Sequence, residues 1–166
     1  EGLGLAIGRT ILEGDLPYRH LSVFSEAARL GIPATVHAAI GCDIVHMDPD
    51  LDGAALGAST QKDFWIFCDT VGRLDRGVWL NIGSAVIMPE VFLKAVSVAR
   101  NRGQLGHDFT TCNFDMLQQY RAMTNVVTRP PKEGLSVLAM HEIVLPLLHQ
   151  AILSTAESRG MSMELR

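Results

Sequence analysis

Between Leu3 and Glu13 the apolar residues Leu3, Leu5, Ala6, Ile7, Ile11 and Leu12 return at helical spacing, and the pattern stops at Gly14. That spacing predicts a first helix over 3–13 whose apolar face needs a partner. Val23, Phe24, Ala27, Ala28 and Leu30 repeat the pattern, with Ser22 placed as N-cap and Gly31 as a left-handed stop ahead of Pro33. Residues 34–38, Ala-Thr-Val-His-Ala, are β-branched in the middle and apolar on both faces, which predicts a short parallel strand covered by helices. A glycine-punctuated loop follows. Ser59 is then placed to cap a long helix reaching Leu74, with Phe64, Ile66, Phe67, Val71 and Leu74 turned inward and Gln61, Lys62 and Asp69 outward.

The second half of the chain repeats the order strand, polar turn, helix. Residues 77–82 read as a buried strand broken at Gly83-Ser84, and Pro89 opens or kinks a helix reaching Arg102. A third strand is predicted over 107–113, running into Thr-Thr-Cys-Asn-Phe-Asp, with a short helical turn from Asp115 to Tyr120 and an Arg-Pro-Pro loop after it. The fourth, 135–140, passes at His141-Glu142 into a last helix ending near Ala156, and the polar tail 157–166 is expected to fray. Four strands alternating with helices predict one domain over 1–156, an α/β, Rossmann-like, doubly wound, mostly parallel sheet with helices on both faces. Right-handed crossovers bring all strand ends to one edge. The loop from His37 to Asp52, Gly83-Ser84, Thr110 to Asp115 and His141-Glu142 are then expected around one crevice, where ligands of such sheets collect.

Composition narrows the partners. With 166 residues, 48% hydrophobic and 19% charged, the chain has enough apolar side chains for a real core. A net charge of −4 and the absence of any Lys/Arg run argue against nucleic acid. No apolar run is long enough to span a bilayer; the nearest, Ile143 to Leu153, is interrupted by Pro146, His149 and Gln150. Cys42, Cys68 and Cys112 are odd in number and widely spaced, which suits a reducing, cytoplasmic setting better than a disulfide framework or a thiolate zinc site. The start at Glu1, directly in an apolar pattern, reads as part of a longer chain.

The polar turns carry the candidate chemistry. Gly83-Ser84 between a strand and a helix lets a backbone approach a phosphate, or is a tight turn and nothing more. Asp43, after Gly41, is placed to accept hydrogen bonds from a ribose diol, or to cap the next turn. His37, His46, Asp48, Asp50 and Asp52 read as a solvated acidic loop or as ligands of a divalent metal, at a spacing that matches no ligand motif. Glu90 and Lys94 have the spacing of a surface ion pair, although a Glu90 facing the crevice is an acid/base candidate. His46, His141 and Glu142 complete the acid/base candidates, with helix capping as the alternative for the last two. No Gly-x-Ser-x-Gly elbow is present to support a serine hydrolase.

Taken in order, Ala39-Ile40-Gly41-Cys42-Asp43-Ile44, Leu80-Asn81-Ile82-Gly83-Ser84-Ala85-Val86, Thr110-Thr111-Cys112-Asn113-Phe114-Asp115 and Val137-Leu138-Ala139-Met140 with Pro146-Leu147-Leu148 resemble the successive strand-end motifs of deoxyhypusine synthase. The resemblance spans residues 20–150, extends to bacterial proteins of that superfamily, and rests on order and spacing more than on any single motif. It implies a Rossmann-like NAD domain in a homo-oligomer, with NAD and a small-molecule substrate at paired subunit interfaces. It would give Asp43, beside Gly41, the adenosine-ribose role, Gly83 and Ser84 the close approach to the cofactor, and Thr111 (with its neighbour Thr110) and Asp115 further cofactor contacts. The chain departs from the family where catalysis is concerned. Met88-Pro89 stand in place of a paired histidine, Met140 in place of an acidic residue, and the imine-forming lysine has no counterpart between Asp115 and Gly134. The resemblance therefore implies an NAD-binding enzyme acting on some other small molecule. A non-catalytic oligomeric scaffold and a metal-dependent hydrolase are the alternatives.

Overall fold

The computed structural model describes residues 1–161. Its elements run α1 (Leu3–Glu13), α2 (Val23–Leu30), α3 (Gly53–Val71), β1 (Val78–Ile82), α4 (Ile87–Asn101), β2 (Thr110–Asp115), α5 (Tyr120–Ala122, continuing as a π-helix over Met123–Thr128), β3 (Glu133–Leu138) and α6 (His141–Ser158). Short 3₁₀ turns lie at Arg19–Leu21 and Ile44–Met47. The part of the expected frayed tail beyond residue 161 lies outside the described residues.

α2 forms for the predicted reasons, whereas the helical turn expected over Asp115 to Tyr120 begins only at Tyr120. Ser22 accepts the backbone N–H of Ser25, and Gly31 takes the left-handed conformation at φ 67° that closes α2. The long helix starts six residues earlier than Ser59, because Asp52 accepts the N–H groups of Ala54 and Ala55 at 2.9 and 3.0 Å. α1 and α2 form a close hairpin in which Gly8 of α1 touches the α2 backbone. A Cβ there would lie 2.5 Å from the carbonyl oxygen of Phe24, and one at Gly4 would lie 2.2 Å from that of Ala34.

β1, β2 and β3 make a parallel sheet in that order, with Asn81 opposite Asn113 and Asn113 opposite Ser136. The sheet is α/β and parallel as expected, but among the described residues it has three strands, not four. The expected first strand, 34–38, is an extended segment without a strand partner. Its backbone groups are satisfied by side chains of α3. Asp63 accepts the N–H of Val36 at 2.8 Å, while Thr60 accepts the N–H of Ala38 at 3.0 Å and donates to the Val36 carbonyl at 2.7 Å. Those groups are unavailable to a ladder. Without that strand the order never reverses, so the described sheet has no switch point of the doubly wound kind.

Successive crossovers in one direction place their helices on the same face when both are right-handed. On that face Trp79 stacks on Phe92 of α4 with ring centroids 4.6 Å apart, and the Thr111 hydroxyl donates to the Val126 carbonyl at 2.7 Å. Phe67, Val71, Phe92, Val96, Ala99, Leu105, Phe109 and Val126 form the core between α3, α4 and the sheet. The opposite face is covered only in part. Cys112 and Phe114 are buried there, whereas Val78, Ile82 and Leu135 are 60, 44 and 48% exposed. Among the described residues α6 makes no extensive contact with another element, and of its own residues only Ala156 is buried.

Candidate functional site

Parallel strands deliver their carboxyl ends to one edge, and three of the four expected turns meet there. Gly83 donates its N–H to the Phe114 carbonyl at 2.9 Å, and Ala139 donates to the Asp115 carbonyl at 3.0 Å. His141 Nε2 lies 3.1 Å from the same Phe114 oxygen. A carbonyl can only accept, so Nε2 carries the proton and donates. Gly83 has φ 67°, a left-handed conformation that favours glycine. Asp115, nearly buried, accepts the Leu117 N–H at 3.2 Å and so shapes the turn after β2.

Behind this edge α4 begins. Ser84 Oγ accepts the Met88 N–H at 3.1 Å, while the backbone N–H groups of Ser84, Ala85 and Val86 have no partner among the described residues. Unpaired N–H groups at a helix start are a ready seat for an anion.

The loop from His37 to Asp52 reaches this region by another route. No strand delivers it. Instead it walls a cavity of about 530 Å³ with α1 and α3, lined by Leu3, Ile7, Val36, His37, Ala38, Ala39, Cys42, Asp43, Val45, His46, Leu51, Leu56 and Ile87. Ile87 is the first residue of α4, so the hollow runs from Asp43 to the helix one residue beyond the Ser84–Val86 turn, whose own residues do not line it. Its volume and its apolar lining with a few polar groups suit a small-molecule site. Within the loop, Gly41 (φ 89°) and Asp43 both donate backbone N–H groups to His46 Nδ1, at 3.0 and 3.4 Å. His46 Nδ1 is thereby occupied, and its Nε2 is buried without a hydrogen-bond partner. Burial, opposed by the charge of Asp63, holds the His37 imidazole below its ordinary range.

Other candidates stand elsewhere. Thr110 and Thr111 open β2, because the strand spans 110–115 and not 107–113. They therefore lie toward the edge opposite Gly83, with Thr110 beside Arg76, Asp108 and Lys132, and the Thr111 hydroxyl committed to Val126. Glu90 is an ion-pair anchor. It accepts from Lys94 at 3.1 Å, Arg121 at 3.1 Å and Asn125 at 2.9 Å, and the Lys94 hydrogen bond leads the causes that hold its carboxyl below the usual range. A carboxylate so held stays charged and ties α4 to α5. Glu142 is exposed in the first turn of α6. Asp52 caps α3 and Asp48 accepts the Asp50 N–H at 3.0 Å. Among the described residues no three His, Cys, Asp or Glu side chains come together as a metal cluster.

Asn81 and Asn113 are the pair that sequence reasoning passed over. Asn81 Nδ2 donates to Asn113 Oδ1 at 2.7 Å and to the Ser84 carbonyl at 2.9 Å, so a buried bridge holds the turn that carries Gly83. The signal was present as an asparagine in the middle of each apolar strand, Leu-Asn-Ile and Cys-Asn-Phe, where only a mutual partner makes burial tolerable. Compared with family models, with curated proteins and with solved structures, the chain matches none.

Proposed function

We propose that the chain binds a nucleotide cofactor, NAD, and that with it the protein acts on a small-molecule substrate. The observation that carries this reading is the single cavity shared by Asp43 and the first residue of α4. A nucleoside fits its apolar lining, with the Asp43 carboxylate as acceptor for a ribose diol. The unpartnered N–H groups of Ser84, Ala85 and Val86 suit a pyrophosphate, and they lie at a helix start where the macrodipole favours negative charge. NAD, when bound, supplies a hydride acceptor. The residues of this chain hold and orient it: Asp43 at one end, Gly83 and Ser84 at the other, with Asp115 fixing the turn beside them. The order of motifs resembling deoxyhypusine synthase supports the same cofactor. The substitutions at Met88-Pro89 and the missing lysine support a different reaction.

The three free cysteines support a cytoplasmic setting; among the described residues no helix is long and apolar enough to cross a membrane. Calorimetric titration with NAD tests the reading. Binding is expected, and Asp43→Asn should weaken it by roughly ten- to a hundredfold, the worth of a charge-assisted hydrogen bond. A protein that takes up no dinucleotide overturns it.

A second reading, a homo-oligomeric scaffold without catalysis, is favoured by one observation. Val78, Ile82 and Leu135 on the partly bare sheet face, and Ile143 and Leu147 on α6, are large apolar side chains left exposed, as a surface awaiting a second copy would leave them. Homo-oligomer formation is compatible with both readings.

A further inference from the structure

The acceptor nitrogen of a neutral imidazole offers one lone pair, for which a proton and hydrogen-bond donors compete. At His46 that competition falls on the turn that carries Asp43. The backbone N–H groups of Gly41 and Asp43 both converge on Nδ1, at 3.0 and 3.4 Å, so Nδ1 is the acceptor and the hydrogen of the neutral ring sits on Nε2. Nε2 is buried without a partner. A second proton has only Nδ1 to go to, and an Nδ1–H facing two N–H groups would leave three donors without an acceptor.

Among the described residues the N–H groups of Gly41 and Asp43 have no acceptor besides this ring. What holds them is therefore the neutral form of one side chain. To the cavity wall around it α1, α3 and α4 contribute apolar side chains alone, and the titratable groups that line the cavity with His46 are His37, Cys42 and Asp43. Of these only the Asp43 carboxylate could pair with an imidazolium, and it would then be withdrawn from a ligand.

From this geometry we infer that His46 is a positioning residue for Asp43 and acts only while its ring is neutral: a proton on Nδ1 releases the Gly41 and Asp43 N–H groups, and the carboxylate assigned to the ribose diol is no longer held. The effect on binding rests on the nucleotide reading above and deepens it by making occupancy of the same site depend on pH. The effect on the turn needs no ligand. Binding is strongest above the pH at which the ring titrates, and below it weakens by about tenfold per pH unit, the slope for one proton that excludes the ligand.

Amide and imidazole spectra of the whole protein without ligand, recorded from about pH 8 to about pH 5, test the turn. The Gly41 and Asp43 amide signals should shift with the midpoint of the His46 ring. Amide signals that stay in place while the ring titrates, or a ring that does not titrate before the chain unfolds, would overturn the inference. Calorimetric titration with NAD over the same pH range, in the wild type and in His46→Asn, tests binding. The asparagine oxygen can accept both N–H groups but takes up no proton, so the pH slope should vanish in the variant. A slope equal to that of the wild type overturns the role of His46 and assigns the effect to another group. If the variant does not fold, the wild-type spectra decide. Absence of dinucleotide binding at about pH 8 overturns the nucleotide reading and with it the effect on binding, while the amide signals still decide the effect on the turn.

Discussion

Asp63 Oδ2 lies 2.8 Å from the backbone nitrogen of Val36 and 2.8 Å from that of Gly4, so one carboxylate oxygen joins α3 to the segment walling the cavity and to the first turn of α1. The residue is wholly buried. Gly4 is among the first N–H groups of a helix, which have no partner of their own, and a carboxylate meets that need while favouring the positive end of the helix.

Asp63→Ala strips both donors of their acceptor inside the protein. At about 1–3 kcal/mol for each stranded donor, the loss should be about 2–6 kcal/mol. Urea denaturation monitored by circular dichroism measures it. A change below about 1 kcal/mol would mean that the two N–H groups find other partners.

This bond also shows where reading the sequence stops. The composition of 34–38 is that of a strand, and its extended backbone agrees. Whether an extended segment joins a ladder depends on what its N–H groups meet, and they meet Asp63 and Thr60, more than twenty residues later. Nothing local announces that. The α2 caps, by contrast, were legible because Ser22 and Gly31 act on neighbours within a few residues. The rim was legible at Gly83, Asp115 and His141 because parallel strands must end on the same side. Thr110 and Thr111 were misplaced by a boundary error of a few residues, which moves a side chain from one end of a strand to the other. Glu90 and Lys94 formed the ion pair their spacing suggests, but Arg121 and Asn125, from a distant helix, completed it.

His37 gives the fold a pH dependence of definite sign. Burial lowers its pKa from 6.5, against the opposing charge of Asp63. The unfolded chain then takes up a proton before the folded one as pH falls. The contribution to stability is complete above about 6.5, declines as pH drops from there toward the lower folded-state value, and is lost below it. Denaturation midpoints should fall between about pH 7.5 and about pH 5.5, and His37→Phe should flatten that difference. An unchanged slope in the variant would assign the effect to other groups.

Leu135 projects from the incompletely covered face of the sheet at 48% exposure, next to the buried Cys112 with which it is paired in register. A charge there should cost little in an isolated domain and much in an interface. Leu135→Glu is expected to leave the circular dichroism spectrum intact while shifting sedimentation velocity toward a smaller species. Identical sedimentation of the two proteins would show that this face does not carry the assembly.

The proposed nucleotide site requires the Asp43 loop and the start of α4 to bind one ligand together. Backbone amide spectra of ¹⁵N-labelled protein titrated with NAD test it directly. The signals of Ser84, Ala85 and Val86 should move together with those of Gly41, Asp43 and His46, along one saturation curve. Movement at only one of the two segments, or at neither, would contradict it.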